Sequence, residues 1–342
     1  MKKTDYIIAI LFALALVGAY SIYKPFLLSM VVALLLTMAT ANMHRNISDR
    51  IQSDYLSALI LTLGLFIILF VPIIYIATIG VQYISAIEAQ TITKTTDKLS
   101  SLAEGIPYLS EWIDENLSNQ KILELIKTST ATLTKAGTQG FDFIKNVFFV
   151  IIFYYILNLN GDNLFALMKA LLPLKAEEGS KIVTEISSTM EIVFYSIIVT
   201  AIFEGALFGV MISFFGFNGL LFGMIYGFAS LIPIIGGAVV WVPVSLFAWS
   251  VISSNIALFI ALYSVIVISI IADTFIKPMI IKYIKDDVLH SSVKINELLI
   301  FFSILAGMSS YGFWGMILGP AITSFLIAIS RVYIKLYGKD TL

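Results

Sequence analysis

The stretch that decides the fold runs from Gly216 to Val244 and reads GFNGLLFGMIYGFASLIPIIGGAVVWVPV. It is apolar enough to lie in lipid, yet it is rich in glycine and proline, which interrupt helices. Because hydrocarbon offers no hydrogen bonds, broken backbone survives at membrane depth only inside protein or beside a watery cavity. The sequence therefore predicts a discontinuous helix whose sharpest break includes Pro233, Gly236 and Gly237, which are hinge candidates.

The composition places the whole chain in a membrane. Of the 342 residues, 59% are hydrophobic and 13% are charged, and the mean hydropathy is +0.96. Soluble domains carry about 25% charged residues. A net charge of -1 gives no reason to expect a nucleic-acid partner, and the lack of cysteine removes disulfides, thiolate metal sites and cysteine nucleophiles.

No recognisable enzyme motif is present in the sequence. It contains no Walker A loop, dinucleotide fingerprint, zinc-protease motif or nucleophile elbow. The two histidines, His44 and His290, are far apart, so a shared metal site is not expected. We therefore expect neither an enzyme nor a cofactor or metal.

The order of apolar and polar segments predicts an all-α polytopic membrane protein with about eight transmembrane elements. Residues 1–84 are expected to hold spans one to three, with the first two forming a tight hairpin at Pro25. A cleaved signal peptide is the alternative for the first apolar run, and its length favours an uncleaved span. Residues 141–191 are assigned to span four and cytoplasmic interfacial helices, and residues 192–342 to a Gly/Pro-rich membrane core.

Residues 85–140 are predicted to form a polar helical arm outside the membrane. The plainer interpretation is an amphipathic hairpin that joins spans three and four, and the alternative is an arm that captures substrate. Lys2 and Lys3 at one end and Arg331 and Lys335 at the other predict that both termini are cytoplasmic, because basic residues favour that side.

The opening stretch has an echo near the C-terminus. Gly216 to Gly223 and Gly312 to Gly319 both read G-F-x-G-x-x-x-G, and Pro320 follows the second copy. The echo indicates either an internal repeat or a chance match of two glycine-rich octets. A second broken or re-entrant helix is therefore predicted near Gly312–Pro320, and its hinge candidates are Gly312, Gly315, Gly319 and Pro320.

Two carboxylates fall within or beside predicted spans. Ionisable residues are costly in a membrane, so Glu204 and Asp273 are candidates for coupling ion movement to transport. Asp273 lies just before Pro278, a further hinge candidate, and a salt bridge or helix cap is its structural alternative. For Glu204 the alternative is a buried hydrogen bond. Neighbouring glycines such as Gly205 and Gly209 are interpreted as helix-packing positions.

Taken together, these segments resemble the AI-2E transporter family, whose members are also described as PerM-like or autoinducer-2 exporter-like permeases. The resemblance covers nearly the whole chain and rests on Leu231-Ile232-Pro233-Ile234-Ile235-Gly236, on Asp273 with Pro278, and on Gly312-Phe313-Trp314-Gly315 with Leu318-Gly319-Pro320. The chain departs from the family pattern at Thr274, where asparagine is common, and at Ser196-Ile197, where the family often has Gly-Gln.

The resemblance implies export of autoinducer-2 or antiport of sodium or lithium against protons, and it implies homo-oligomers, with pentamers favoured. The resulting expectation is a secondary transporter of the bacterial inner membrane that moves a small polar solute or monovalent cation, coupled to a proton or sodium gradient. A scaffolding membrane protein and a passive channel are the alternatives.

Overall fold

The computed structural model describes residues 3–85, 95, 97–98, 101, 139–171, 176–232, 235–283 and 297–337. All regular structure in these residues is helical. Six helical segments are long and apolar enough to cross a membrane, and two shorter apolar helices accompany them. The prediction of an all-α polytopic membrane protein is confirmed.

The described residues form eleven α-helices. In chain order, the α-helices are α1 (Lys3–Tyr23), α2 (Leu27–Ile51), α3 (Asp54–Ser85), α4 (Gln139–Leu171), α5 (Ala176–Ser213), α6 (Gly219–Ala229), α7 (Gly236–Val251), α8 (Ser254–Tyr263), α9 (Lys277–Tyr283), α10 (Glu297–Tyr311) and α11 (Gly315–Tyr337). A π-helix, Ser264–Ile276, joins α8 to α9, and 3₁₀ turns occupy Lys24–Phe26 and Gly312–Trp314.

The chain divides into two compact units, each built from separated segments. Unit 1 contains Met1–Leu65, Phe141–Glu191 and Ala306–Leu342. Unit 2 contains Phe66–Gly140 and Ile192–Leu305. The predicted outer arm, residues 85–140, lies almost entirely outside the described residues, so its structure stays a prediction.

The predicted hairpin at Pro25 is wrong. Tyr23 and Phe26, on either side, keep right-handed helical torsion angles, and a single 3₁₀ turn connects α1 to α2. Proline is tolerated in the first turn of a helix, where its missing N–H needs no partner. Residues Ile10–Ile51 therefore form one continuous helical segment instead of two antiparallel spans.

In unit 1, α2 packs through polar as well as apolar side chains. The hydroxyl groups of Thr40 and Tyr154 lie 2.8 Å apart, which joins α2 to α4. Ser187 on α5 donates a hydrogen bond to the carbonyl oxygen of Met38 at 2.9 Å. Around these contacts, small and aliphatic side chains of α2 such as Val32, Ala33 and Leu36 are buried in the core.

In unit 2, the stretch that opened the sequence analysis forms a helical hairpin. Helices α6 and α7 have 11 and 16 residues, fewer than the ~20 that cross hydrocarbon. The rings of Phe217, before α6, and Phe247, late in α7, have centroids 5.9 Å apart, so the two helices run antiparallel. The predicted break is confirmed, although Pro233 itself lies outside the described residues.

The predicted second break, in unit 1, lies at Gly312. This residue has φ +58°, in the left-handed region, and α10 ends immediately before it. Gly307 and Gly315 are in backbone contact across the turn, so α10 and α11 fold back on each other. Helix α11 then continues without interruption through Pro320.

Candidate transport site

Glu204 lies on α5 in the middle of an apolar segment and is only 4% exposed. It has the position predicted from the sequence, inside the candidate span Glu178–Ser213. Its neighbour Gly205 faces α6 directly: a methyl group added to Gly205 would lie 2.6 Å from the carbonyl oxygen of Gly223. Glu204 is therefore the residue that precedes a close glycine contact between α5 and α6.

The approach of α5 to α6 depends on glycines spaced four residues apart. Gly209 faces Gly219, Gly205 faces Gly223, and Ala201 faces Gly227, which gives an antiparallel crossing. Glycine lacks a side chain, so the two backbones come into contact along two helical turns. The interpretation of these glycines as packing positions is confirmed.

An aromatic stack connects this crossing to the start of α7. One helical turn after Glu204, Phe208 stacks on Tyr226 of α6 with centroids 4.5 Å apart, and both rings are almost fully buried. A methyl group on Gly237 would lie 2.5 Å from the hydroxyl oxygen of Tyr226. The hinge candidate Gly237 thus packs on a ring that contacts the helix of Glu204.

The other hinge candidate of the hairpin, Gly236, is also in close contact. A side chain at Gly236 would collide with the carbonyl oxygen of Ala229, the last residue of α6. Its N–H donates to the carbonyl oxygen of Ile232 at 3.0 Å, which stabilises the turn. The two glycines therefore allow α7 to start directly against the end of α6.

Asp273 belongs to the 13-residue π-helix Ser264–Ile276. In this wider helix Ser269 donates its hydroxyl to the carbonyl oxygen of Ser264, five residues earlier, at 3.2 Å. Pi-helical turns are rare and occur frequently at functional sites. The backbone changes to α-helix at Lys277, so the helix type changes just before Pro278, and Asp273 lies close to this change.

The remaining predicted hinge residues lie in unit 1, at the turn between α10 and α11. Gly312 supplies the left-handed torsion, and Gly315 allows the backbone contact with Gly307. A methyl group on Gly307 would also lie 3.0 Å from the α-carbon of Gly319. Gly216, with φ +83°, is also left-handed, so both copies of the G-F-x-G-x-x-x-G pattern form a turn at a left-handed glycine, followed by a glycine-lined crossing.

The roles of these residues in transport are not tested by the structure, and they remain predictions. Unit 2 contains Glu204, Asp273, Gly236 and Gly237, whereas Gly312–Pro320 lies in unit 1. Within the described ranges, no three histidine, aspartate or glutamate side chains are grouped to hold a metal.

Sequence reasoning missed a polar contact at the start of α6. Asn218 caps this helix by accepting a hydrogen bond from the N–H of Leu221 at 3.0 Å. Its own backbone N–H donates to the hydroxyl of Tyr83 on α3 at 3.0 Å. An asparagine before a glycine-led apolar helix is a recognisable N-cap signal, but the tyrosine partner is more than 130 residues away in sequence.

A second missed residue is Glu191, which is 4% exposed on α5 within unit 1. Its Oε2 accepts a hydrogen bond from Nδ2 of Asn42 on α2 at 2.8 Å. Glu191 was assigned to the end of an interfacial segment, whereas α5 continues through it from Ala176 to Ser213. The neighbours Met190 and Ile192 were the available signal that this carboxylate is buried.

The fold and the candidate site define the class of protein. It is a helical membrane protein in which a buried carboxylate is next in sequence to a glycine-lined helix crossing, and a short helical hairpin forms one side of that crossing. A family model described as AI-2E family transporter matches residues 6–335. The chain belongs to the AI-2E transporter family, as the resemblance predicted.

Relatives cover nearly the whole chain. A protein of Helicobacter pylori strain J99 named "Putative transport protein" is 33% identical over 345 residues, which is 97% of this chain and 96% of the relative. A protein of the same name from Aquifex aeolicus is 25% identical over 308 residues, covering 84% of each chain. These names state transport and no substrate.

Proposed function

We propose that this protein is a secondary transporter of the bacterial inner membrane. It moves a small polar solute or monovalent cation, and the movement is coupled to a proton or sodium gradient. The observation that carries the proposal is the burial of Glu204 beside the Gly205–Gly223 contact. Intramembrane carboxylates commonly mark ion pathways, and this one belongs to the residue next to a close contact between two helices.

The proposed mechanism couples occupancy of Glu204 to movement of the α6–α7 hairpin. Protonating a buried carboxylate, or binding a cation to it, changes the local charge by one unit without a large change in volume. The stack of Phe208 on Tyr226, and the packing of Gly237 on Tyr226, provide a contact path from α5 to the start of α7. Asp273, in the π-helix, is the second coupling residue.

The proposal includes a homo-oligomer with cytoplasmic termini. The pentamer rests on the family resemblance, and the orientation rests on the distribution of lysine and arginine. Native mass spectrometry of the detergent-solubilised protein measures the oligomer, and a pentamer is the expected species.

The test of the function uses purified protein in liposomes that contain a pH-sensitive dye. An imposed sodium gradient is expected to produce a saturable pH change that requires the protein. Asp273→Asn is expected to slow it, and Glu204→Gln to nearly abolish it. A passive channel would instead give current that does not saturate. A scaffold would be favoured by two results together. The pH change would not depend on the sodium gradient for the wild type or either variant, and cells would need residues 85–140 for normal function.

A further inference from the structure

A polar cavity of about 210 Å³ lies in unit 1, where α2, the start of α3 and the middle of α4 meet. Its lining on α2 recurs every three or four residues, which places it along one face of that helix. This lining consists of Thr37, Ala41, His44, Arg45, Ser48 and Asp49. Asp54 of α3 and Asn158 of α4 line the opposite sides.

The floor of the cavity is formed by neutral, buried polar side chains. Thr37 is 6% exposed and Asn158 is 8% exposed. Each is held in place by its own helix, because Thr37 donates to the carbonyl oxygen of Ala33 at 2.9 Å and Asn158 donates to that of Tyr154 at 2.8 Å. The side chains at the floor of the cavity are therefore polar, and these hydrogen bonds hold their orientation.

His44 is also part of the lining. Its Nε2 makes no hydrogen bond within the part of the chain that the structure describes, and the atom is inaccessible to solvent. The backbone at His44 is anchored, since its carbonyl oxygen accepts from the hydroxyl of Ser57 at 2.8 Å. Because Nε2 is inaccessible to solvent, His44 contributes to the wall of the cavity through its anchored backbone and does not offer Nε2 to a ligand.

The rim carries exposed charges of both signs. Arg45 and Asp49 on α2 and Asp54 on α3 all line the cavity. Over the described ranges, neither aspartate forms an ion pair with Arg45 within 4.0 Å. Asp54 instead accepts a hydrogen bond from Ser48. Opposite charges that line one cavity without pairing suit a ligand that carries both charges itself.

We infer that this cavity binds a small zwitterionic amino compound. The planar guanidinium of Arg45 matches a carboxylate, which it can hold through two parallel hydrogen bonds. Asp49 and Asp54, which also line the cavity, receive the ammonium group. At ~30 Å³ for each water molecule, the cavity holds about seven waters, which is the space of a small solute.

The inference concerns binding and does not rest on the proposed transport. All of its residues lie in unit 1, whereas Glu204 and Asp273 lie in unit 2. A binding assay without a membrane gradient therefore tests it separately. Binding without gradient-driven flux would refute the transport proposal alone, and flux without binding would refute this inference alone.

The experiment measures thermal unfolding of the full-length protein in detergent against increasing concentrations of four probes. L-alanine and L-lysine carry both charges, ethylamine carries only the ammonium group, and propionate carries only the carboxylate. A ligand that binds the folded state alone raises the unfolding midpoint in a saturable way. We expect this for at least one amino acid and for neither of the single-charge probes.

Arg45→Gln is expected to raise the half-saturating concentration about tenfold, because it removes a charge-assisted hydrogen bond. Arg50→Gln, an exposed change on the same helix outside the cavity, is the matched control and should leave the concentration unchanged. If Arg45→Gln does not fold, Asp49→Asn tests the ammonium end in the same way. The inference is overturned if neither amino acid shifts the midpoint, if ethylamine or propionate alone matches them, or if the cavity variants bind as the wild type does.

Discussion

Gly205 and Gly223 bring the backbones of α5 and α6 into direct contact, one residue from the buried carboxylate of Glu204. The contact explains why this crossing is built from glycines, since any side chain at these positions would separate the helices. It also means that a change at Gly205 alters the environment of Glu204 without altering the carboxylate itself.

Gly205→Ala is expected to destabilise the protein. The added methyl group would lie 2.6 Å from the carbonyl oxygen of Gly223, which is backbone and cannot rotate away. Overpacking of this kind costs about 1–3 kcal/mol. The measurement is the thermal unfolding midpoint in detergent, which should fall.

The matched control is Gly64→Ala on α3, where a methyl group would meet nothing within 4 Å. Alanine is favoured over glycine in a helix by up to about 1 kcal/mol, so this variant should be neutral or slightly more stable. Equal midpoints for Gly205→Ala and Gly64→Ala would show that the α5–α6 contact is looser than described.

Gly312→Ala is expected to destabilise the turn between α10 and α11 through torsion alone. Gly312 has φ +58°, and a methyl group there would meet nothing within 4 Å. For alanine the left-handed conformation costs about 1–2 kcal/mol, and asparagine adopts it more readily. Unfolding midpoints should therefore rank glycine above asparagine and asparagine above alanine. An alanine variant as stable as the wild type would be inconsistent with the left-handed turn.

Asn42→Ala is expected to destabilise unit 1. It removes the Nδ2 donor that lies 2.8 Å from Oε2 of the buried Glu191. An ordinary hydrogen bond contributes about 0.5–1.5 kcal/mol, and the carboxyl group would stay buried without this one. Asn160→Ala is the control, because Asn160 is exposed like Asn42 but donates to a carbonyl oxygen of its own helix and not to a buried carboxyl group. Similar unfolding midpoints for the two variants would argue against a structural role for the Asn42–Glu191 pair.

Arg331→Gln is expected to change stability by less than ~1 kcal/mol. Nη1 of Arg331 lies 2.5 Å from Oε1 of Glu185, but the arginine side chain is 59% exposed. Exposed ion pairs contribute ~0–1 kcal/mol because water screens them. A larger loss in the unfolding midpoint would mean that this pair is buried in the functional protein, for instance in an oligomer.

Local chemistry made the two broken helices predictable from the sequence. Glycine and proline in apolar surroundings predicted the breaks at the α6–α7 hairpin and at Gly312, and the position of a carboxylate within an apolar segment predicted the burial of Glu204. Each of these predictions uses the energetic effect of a residue on the helix that contains it. The repeated G-F-x-G-x-x-x-G pattern also corresponds to a repeated local structure.

The features that sequence reasoning missed depend on residues far apart in the chain. Glu191 is buried against Asn42, about 150 residues earlier, and Asn218 pairs with Tyr83 on another helix. Pro25 was assigned to a hairpin because two apolar runs flank it, but proline fits the first turn of a helix as readily as it breaks one. No local sequence pattern distinguishes a hairpin at Pro25 from a continuous helix.

The π-helix around Asp273 was also not predicted. A π-helix needs hydrogen bonds from residue i to residue i+5, and no side chain in Ser264–Ile276 specifies this spacing by its type. The helix type therefore depends on packing with neighbouring helices. That packing could not be inferred from the sequence of this segment.

The central claim is that Glu204 couples ion movement to transport. The most direct measurement compares Glu204→Gln with Glu185→Gln, a change to another acidic residue on the same helix, in dye-loaded liposomes under an imposed sodium gradient. Wild type and Glu185→Gln should show the same saturable pH change, and Glu204→Gln should be at least about tenfold slower, equivalent to ~1.4 kcal/mol in the barrier. A Glu204→Gln rate equal to the wild-type rate would contradict the account.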